Sequence, residues 1–453
     1  MPFNARATPI VDTKLSSVTK TASSRILLSF EEYLFLSSML ISDQLPSWQE
    51  LENLAEQNGD SMWLLDSEKF NANSIAFRNA FIEAGWSNTT LAWSLKTLWI
   101  PPVVEAAIAL GGLAEVVSPI EYDIAIALGI DPRLVIVNGP LKTISHLDRV
   151  TAAGSQVNLD GPDEAADILT LVKKYPGRQF RVGLRVNIDI GIGQRSRFGF
   201  DAETDDLFVT FRELATCPQI AINGLHVHQN NTRVPEIYRR QSGRIVELVD
   251  ALWGSESSPD FIDLGGGFAG AMPESLWRQI GHMPASPEAY AAAIIGELRR
   301  RWPEGGPQLI LEPGIALAAN AMRFACRVGA IKMISGIRHA FVTASVYAVK
   351  PTLHPYDLPM QVVRPNGRLP NPGHTTVSGW TCVEDDILAT DCELELVRGD
   401  WLVFDNCGAY SFVMSPRFIR GTPAIVEHRA DGWRTVRRAD TAADWLDPFT
   451  RKP

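Results

Sequence analysis

An α/β chain built as a (β/α)8 barrel followed by a C-terminal all-β domain is the fold this sequence predicts, and three features predict it. Between residues 91 and 312, eight short apolar runs alternate with amphipathic stretches of helical period. Near-continuous apolar strands alternating with helices define a parallel sheet covered on both faces, and eight such units fit a closed barrel of about 250 residues. After Arg323 the rhythm changes to short alternating runs between Gly/Pro/Asp turns, the pattern of a β domain. The length of 453 residues leaves room for both at roughly 150 residues per domain. An open doubly wound sheet is the alternative, but it calls for a glycine-rich turn after the first strand, and none is seen.

The elements follow in order. Residues 1–60 are expected to form a partly helical N-terminal extension, polar and loose over 1–20 and helical over 28–57 with a break at Pro46. Residues 61–66 read as a strand that either opens the barrel or joins the β domain. The barrel strands are placed at 91–96, 114–118, 134–138, 156–159, 180–187, 220–228, 261–264 and 308–312, with helices at 101–110, 120–128, 165–174, 237–252 and 287–301. The barrel unit is therefore 61–335 and the β domain 336–453, with strands at 341–349, 388–397, 401–404, 424–429 and 433–437.

Composition narrows the function. Forty-two Lys+Arg against 52 Asp+Glu give a net charge of −10, unsuited to nucleic acid, whose affinity comes mainly from phosphate neutralisation. The most apolar N-terminal stretch, 26–41, is broken by Glu31 and Glu32, and a membrane span needs about 20 apolar residues. The N-terminus lacks the pattern of a secretory signal. Five scattered cysteines (Cys217, Cys326, Cys382, Cys392, Cys407) without a CxxC pair read as free thiols, so a cytoplasmic protein is expected.

Barrel enzymes carry their reactive groups at the C-terminal ends of the strands. The first run ends in Lys96, where burial would lower the ammonium pKa and make a nucleophilic amine; a lysine lying along apolar surface is the plainer reading. The fifth holds Arg185. The sixth holds His226 and His228, two residues apart and so on one face. They could bind zinc, stack on a flat ligand, or be structural. The seventh runs into Gly265, Gly266 and Gly267, whose backbone N–H groups could converge on a phosphate or simply make a turn. The eighth ends in Glu312-Pro313-Gly314, a carboxylate that needs a partner such as a pyridinium N–H or an arginine.

Taken in this order, the features resemble the pyridoxal 5'-phosphate (PLP) enzymes of the alanine-racemase-like fold (fold type III), and more closely their decarboxylase branch, the diaminopimelate and ornithine decarboxylases. The resemblance covers about residues 61–445. It implies that Lys96 carries the cofactor, that Glu115 stands near it where the family usually has Asp, and that Leu184-Arg185-Val186-Asn187 and Arg197-Phe198-Gly199 belong to the cofactor face. It implies that His228 stacks on the PLP ring, that Gly265, Gly266, Gly267 and Gly314 lie at the phosphate with Tyr410, and that Glu312 pairs with the ring nitrogen. Cys382 matches the cysteine delivered into the neighbouring subunit's site, so a homodimer with shared active sites is implied, acting on a small amino-acid substrate.

The departures fall on phosphate and substrate contacts. Ile315 replaces the arginine usual after Glu-Pro-Gly, Val383 replaces the acid usual after the cysteine, and Glu384, Asp385 and Asp386 follow. His228-Gln229-Asn230-Asn231 replaces His-x-Gly-Ser, and Lys350-Pro351-Thr352-Leu353-His354 replaces Arg-Pro-x-Leu-Tyr. The expected activity is decarboxylation of a diamino-acid-like or modified amino acid, for example from a siderophore or other secondary pathway, by Lys96, His228 and Cys382, with Lys350, His354, Val383 and Glu384 toward the substrate and no metal. The rivals are a PLP-dependent racemase or epimerase, a non-catalytic PLP carrier, and a metal-dependent barrel hydrolase using His226, His228 and Asp263.

Overall fold

A computed structural model of the protein describes residues 45–193, 195–229 and 233–449. The expectations for residues 1–44 lie outside these. The first described helix, Trp48–Asn58, starts just after Pro46 and is capped by Ser47 and Glu50 in a capping box, in which each side chain satisfies a backbone N–H at the open helix end. Strand β1, Ser61–Leu65, follows.

Eight parallel strands then close the barrel. They are β2 (Thr89–Ser94), β3 (Leu113–Val116), β4 (Val135–Val137), β5 (Gln156–Leu159), β6 (Phe180–Asn187), β8 (Ile220–His226), β9 (Phe261–Asp263) and β10 (Gln308–Leu311); a two-residue β7 (Phe200–Asp201) pairs on the end of β6. Their order around the wall is β5-β4-β3-β2-β10-β9-β8-β6, and β5 pairs with β6 to complete the circle. The helices between them include Pro101–Ala109, Pro119–Ala127, Pro162–Lys174, Pro235–Trp253 and Pro287–Leu298. Each of these opens on proline, which forfeits no bond where the helix N–H is unpaired anyway.

The barrel interior is layered. Ala92, Ile136, Phe261 and Ile310 form an apolar cluster. Two residues further along the same strands stand Ser94, Asn138, Asp263 and Glu312, all buried. Because side chains alternate with period two, the apolar layer carries a polar layer directly above it, at the ends of the strands.

The second sheet has the order β15-β14-β12-β11-β1-β17-β18, with β16 on β11 and β13 on β16. Its members are β11 (Met322–Ile334), β12 (Ile337–Val342), β13 (Met360–Val363), β14 (Pro372–Ser378), β15 (Ile387–Leu394), β16 (Trp401–Phe404), β17 (Ala424–Arg429) and β18 (Gly432–Arg437). Strand β1 lies inside it, antiparallel to β11 (Trp63 opposite Phe324) and parallel to β17 (Trp63 opposite Ile425).

Strand pairing therefore changes sheet before Met322, earlier than the 335/336 boundary read from the sequence, which falls inside the β11–β12 hairpin. The local pattern could not show that a 13-residue strand already belongs to the second sheet. The expected strand 341–349 ends at Val342, and its second half is a helical turn, Val346–Val349. Further short helices, Ser411–Met414 and Ala442–Leu446, lie in the region expected to have none.

The β domain touches the barrel rim at residues 405–410. Gly408 is required there, because a Cβ at this position would overlap the Ala318 carbonyl oxygen at 1.7 Å. The approach lets Tyr410 N–H donate to the Thr97 carbonyl, 3.0 Å, one residue beyond Lys96. No helix among the described residues is long and apolar enough to cross a membrane.

Candidate active site

The polar strand ends surround a cavity of about 500 Å³ whose wall includes Lys96, Glu115, Asn138, Arg185, His228 and Glu312, together with His226, Ile192 and residues 195–198. Lys96 Nζ pairs with Glu115 Oε2 at 2.5 Å, and 30% of the lysine side chain remains exposed to the cavity. Burial lowers the ammonium pKa, but Glu115 and then Glu312 outweigh it, so the Lys96 pKa rises above the ordinary lysine value. The expectation of a pKa lowered by burial is therefore overturned. The carboxylate on the neighbouring strand decides it, and that proximity is not visible in the local sequence.

Asn138 joins the two acids. Its Nδ2 donates to Glu115 Oε1 (3.0 Å) and to Glu312 Oε1 (2.8 Å), while its Oδ1 accepts from Asn158 Nδ2 (2.9 Å). Asn138 is not among the residues expected from the sequence. An amide ending the apolar run 134–138 was the available signal, the same kind of signal that marked Glu312.

Glu312 meets both histidines: Oε2 lies 3.3 Å from His228 Nδ1, and Oε1 lies 3.6 Å from His226 Nε2. Burial alone would raise the Glu312 pKa, but His228 and the Lys96 ammonium hold it well below the ordinary carboxylate value. Burial holds the His226 pKa well below its ordinary value, so that imidazole is neutral, and neither of its ring nitrogens has a hydrogen-bond partner among the described residues. Asp263, equally buried, is pushed the other way by burial and by Glu312. Of these two buried carboxyls, Glu312 is driven toward its ionised form and Asp263 away from it.

The glycine turn is more selective than three equivalent N–H donors. Gly265 and Gly267 take φ of +65° and +90°, and a Cβ on Gly266 would sit 2.4 Å from the Glu312 carbonyl. Gly265 N–H donates to Asp263 Oδ1 (2.9 Å) and Gly266 N–H to His228 Nδ1 (3.0 Å). The Gly266 carbonyl accepts from Tyr238 Oη (2.9 Å), and Ala269 N–H donates to Tyr290 Oη (3.1 Å). Gly267 and Phe268 are left as the adjacent amides with no recorded acceptor among the described residues. Gly314 packs against Thr97, and a Cβ there would meet Thr97 Oγ1 at 2.4 Å.

Arg185 is held by Asp160 at 2.9 Å, whose other oxygen accepts from Gly199 N–H at 3.2 Å. It positions the 196–199 turn. Asn230 and Asn231 lie outside the described residues.

The remaining expected residues are not on this cavity wall. Cys382 is exposed, as is Glu384, in the turn after β14. Val383 N–H contacts Thr381 Oγ1 (3.3 Å). Asp386 is buried and organises the turn, accepting from Val346 N–H (2.7 Å) and from Thr381 N–H and Oγ1 (3.0 and 2.6 Å). Lys350 Nζ is taken by Asp357 (3.0 Å) and the Tyr356 carbonyl (3.1 Å). His354 lies half-buried beside Tyr356, its pKa lowered by burial and by Lys350.

The donor set fits a phosphorylated pyridine aldehyde: an amine beside an acid, an ionised carboxylate for a ring N–H, an imidazole face, and two unmet amides for an anion. A barrel with this set of strand-end residues, followed by a β domain, defines a pyridoxal-dependent enzyme of the alanine-racemase-like fold. Residues 68–319 match the family model described as "Pyridoxal-dependent decarboxylase, pyridoxal binding domain". The chain belongs to that family, and it is a PLP-dependent carboxy-lyase. Diaminopimelate decarboxylases from Zymomonas mobilis and Pseudomonas aeruginosa are each 26% identical to it, over 87% of this chain and 94% of theirs. In fold it is similar to the diaminopimelate decarboxylase of M. jannaschii (TM-score 0.79, 22% identity, 88% of this chain and 94% of that one). It is also similar to a Vibrio vulnificus lysine/ornithine decarboxylase crystallised with putrescine (TM-score 0.67, 19% identity, 86% and 96%). The hydrolase, racemase and carrier alternatives give way to this membership.

Proposed function

We propose that the chain decarboxylates a modified or conjugated amino acid rather than free ornithine, lysine or diaminopimelate, and that it does so as a homodimer with composite sites. The observation that carries the substrate reading is the turn 382–386: its buried acid, Asp386, is spent on backbone and Thr381, and the position after Cys382 is the apolar Val383. When bound, PLP would supply an electron-accepting ring for the pair left on the substrate Cα when carbon dioxide departs. Lys96 holds the cofactor, and Glu115, fixed by Asn138, orients the Lys96 Nζ. Glu312, held toward its ionised form, would accept the ring N–H, and the neutral His226 beside it would bring no competing charge. His228 would pack on the ring face, the Gly267 and Phe268 amides with Tyr410 would take the phosphate, and Cys382 of a second copy would deliver the proton to Cα.

The first test is carbon dioxide release from diamino acids, their D-forms and citrate or acyl conjugates by the PLP-loaded protein, with a conjugate expected to be fastest. Rapid turnover of L-ornithine, L-lysine or meso-diaminopimelate that Glu384→Gln abolishes would overturn the substrate reading. For the dimer, inactive Lys96→Ala and Cys382→Ala chains are mixed. Recovery to about a quarter of full activity is expected for random reassortment into symmetric pairs, and no recovery despite subunit exchange removes Cys382 from the neighbouring site.

A further inference from the structure

The cavity wall is charged asymmetrically. Its only acids among the described lining residues are Glu115 and Glu312, and both are already bonded to Asn138, with Lys96 on one and the imidazoles on the other. Three arginines stand on the side formed by β6 and the turn after it: Arg185, Arg195 and Arg197. Arg185 is neutralised by Asp160 and Arg195 by Asp201 (2.5 Å). Arg197 has no carboxylate partner among the described residues. Its guanidinium lies over the Phe198 ring at 4.5 Å, and the Arg185 guanidinium lies over the same ring at 4.7 Å. The aromatic face holds a cation in place without satisfying its N–H donors.

Strand β6 stands four places round the wall from β2, so Arg197 faces the cavity from the side opposite Lys96. The unmet amides of Gly267 and Phe268 follow β9, a different part of the rim. The anion Arg197 awaits is thus separate from the one the glycine turn awaits. A substrate reacting at Lys96 would lay its far end toward Arg197, where a carboxylate finds a fork of N–H donors and an ammonium finds like charge.

We infer that Arg197 is a specificity residue that binds a carboxylate at the far end of the substrate, so that the chain prefers amino acids ending in an anion over those ending in an ammonium. This rests on the decarboxylase reading above and deepens it by naming the substrate class.

The test uses two amino acids of similar length and opposite ends, L-2-aminoadipate and L-lysine, each titrated into the full-length PLP-loaded protein while the visible absorption of the bound cofactor is followed. Both present the same reactive head, so their difference reads the far end. Aminoadipate is expected to bind the wild type about tenfold or more tightly than lysine, the range for a charged hydrogen bond. Arg197→Gln should erase that preference by weakening aminoadipate alone, and Arg197→Lys should keep part of it. PLP and phosphate-free pyridoxal are also titrated into cofactor-stripped wild type and Arg197→Gln, with no change expected. Equal or tighter binding of lysine, no spectral response to aminoadipate, or an unchanged preference in Arg197→Gln would overturn the inference. So would a selective tenfold loss of PLP over pyridoxal, which would assign Arg197 to the cofactor phosphate. Absence of carbon dioxide release from every amino acid, with the spectral preference intact, would count against decarboxylation alone.

Discussion

In the barrel, six side chains from six different strands or strand ends (Lys96, Glu115, Asn138, Arg185, His226 and Glu312) meet around one cavity within a single chain. In the β domain, Cys382, Val383, Glu384, Lys350 and His354 are absent from that wall, and Tyr410 reaches toward Lys96: its backbone N–H bonds the Thr97 carbonyl, and its phenol adds to the charges that raise the Lys96 pKa. The two architectures differ in what each can do alone. A closed barrel fixes its strand ends on a ring, so any polar residue two places beyond the apolar layer points to the same centre. A sheet turn projects outward, and it contributes to a site only by meeting another surface.

The largest effect is expected at Lys96. Lys96→Ala should lower carbon dioxide release by about 10⁴-fold or more, the scale for removing one member of a concerted catalytic group, and should abolish the cofactor linkage that borohydride fixes. Reduced cofactor found by mass spectrometry on a different lysine would refute the barrel half of the comparison.

Asn138 is next. Asn138→Ala strips one donor from two buried carboxylates, so a stability loss of about 1–3 kcal/mol is expected, together with slower catalysis. Asn138→Asp should be worse, because it sets a third acid between Glu115 and Glu312. Thermal melting and cofactor retention of the two variants check the order.

On the β-domain side, Val383→Glu should raise turnover of L-ornithine or L-lysine by about tenfold or more. The acid it restores takes part in a charged hydrogen bond whose loss typically costs about 2–5 kcal/mol. No change would mean that the turn does not reach a substrate.

The smallest effect is on pH. Burial lowers the pKa values of His226, His146 and His354, so between their ordinary value of 6.5 and the lower folded values the unfolded chain binds more protons. Stability therefore falls as pH drops below about 6.5, most through His226, with a limiting slope of about 1.4 kcal/mol per unit for an imidazole that stays neutral in the fold. His226→Gln should flatten the fall in melting temperature between pH 7 and pH 5. An unchanged slope would show that His226 protonates in the folded protein.

Much of the barrel was legible in the sequence. All eight runs correspond to strands of the closed sheet, because a buried strand must be apolar throughout and its end is marked by the first polar residue. Lys96, His228 and Glu312 were found that way. Asn138 escaped because an amide at a strand end looks like an ordinary turn residue until the two acids it bridges are placed beside it. The rise in the Lys96 pKa escaped for the same reason, since Glu115 is its neighbour across strands and not along the chain. In the β domain the hairpin runs were readable, but the role of Asp386 was not. Three consecutive acids look alike in a sequence, and only the backbone of the turn distinguishes the buried one.

Strand β1 has a consequence for synthesis. It is made before the barrel, yet its partners β11 and β17 follow the barrel and come near the end of the chain. A ribosome therefore releases Trp63 long before Phe324 and Ile425 exist to cover it, and the barrel must close while this first strand still has two open edges. Open edges recruit foreign strands, and late long-range pairing prolongs that exposure. Chains stopped short of β17 should accumulate as aggregates, even though every residue of the barrel is already present.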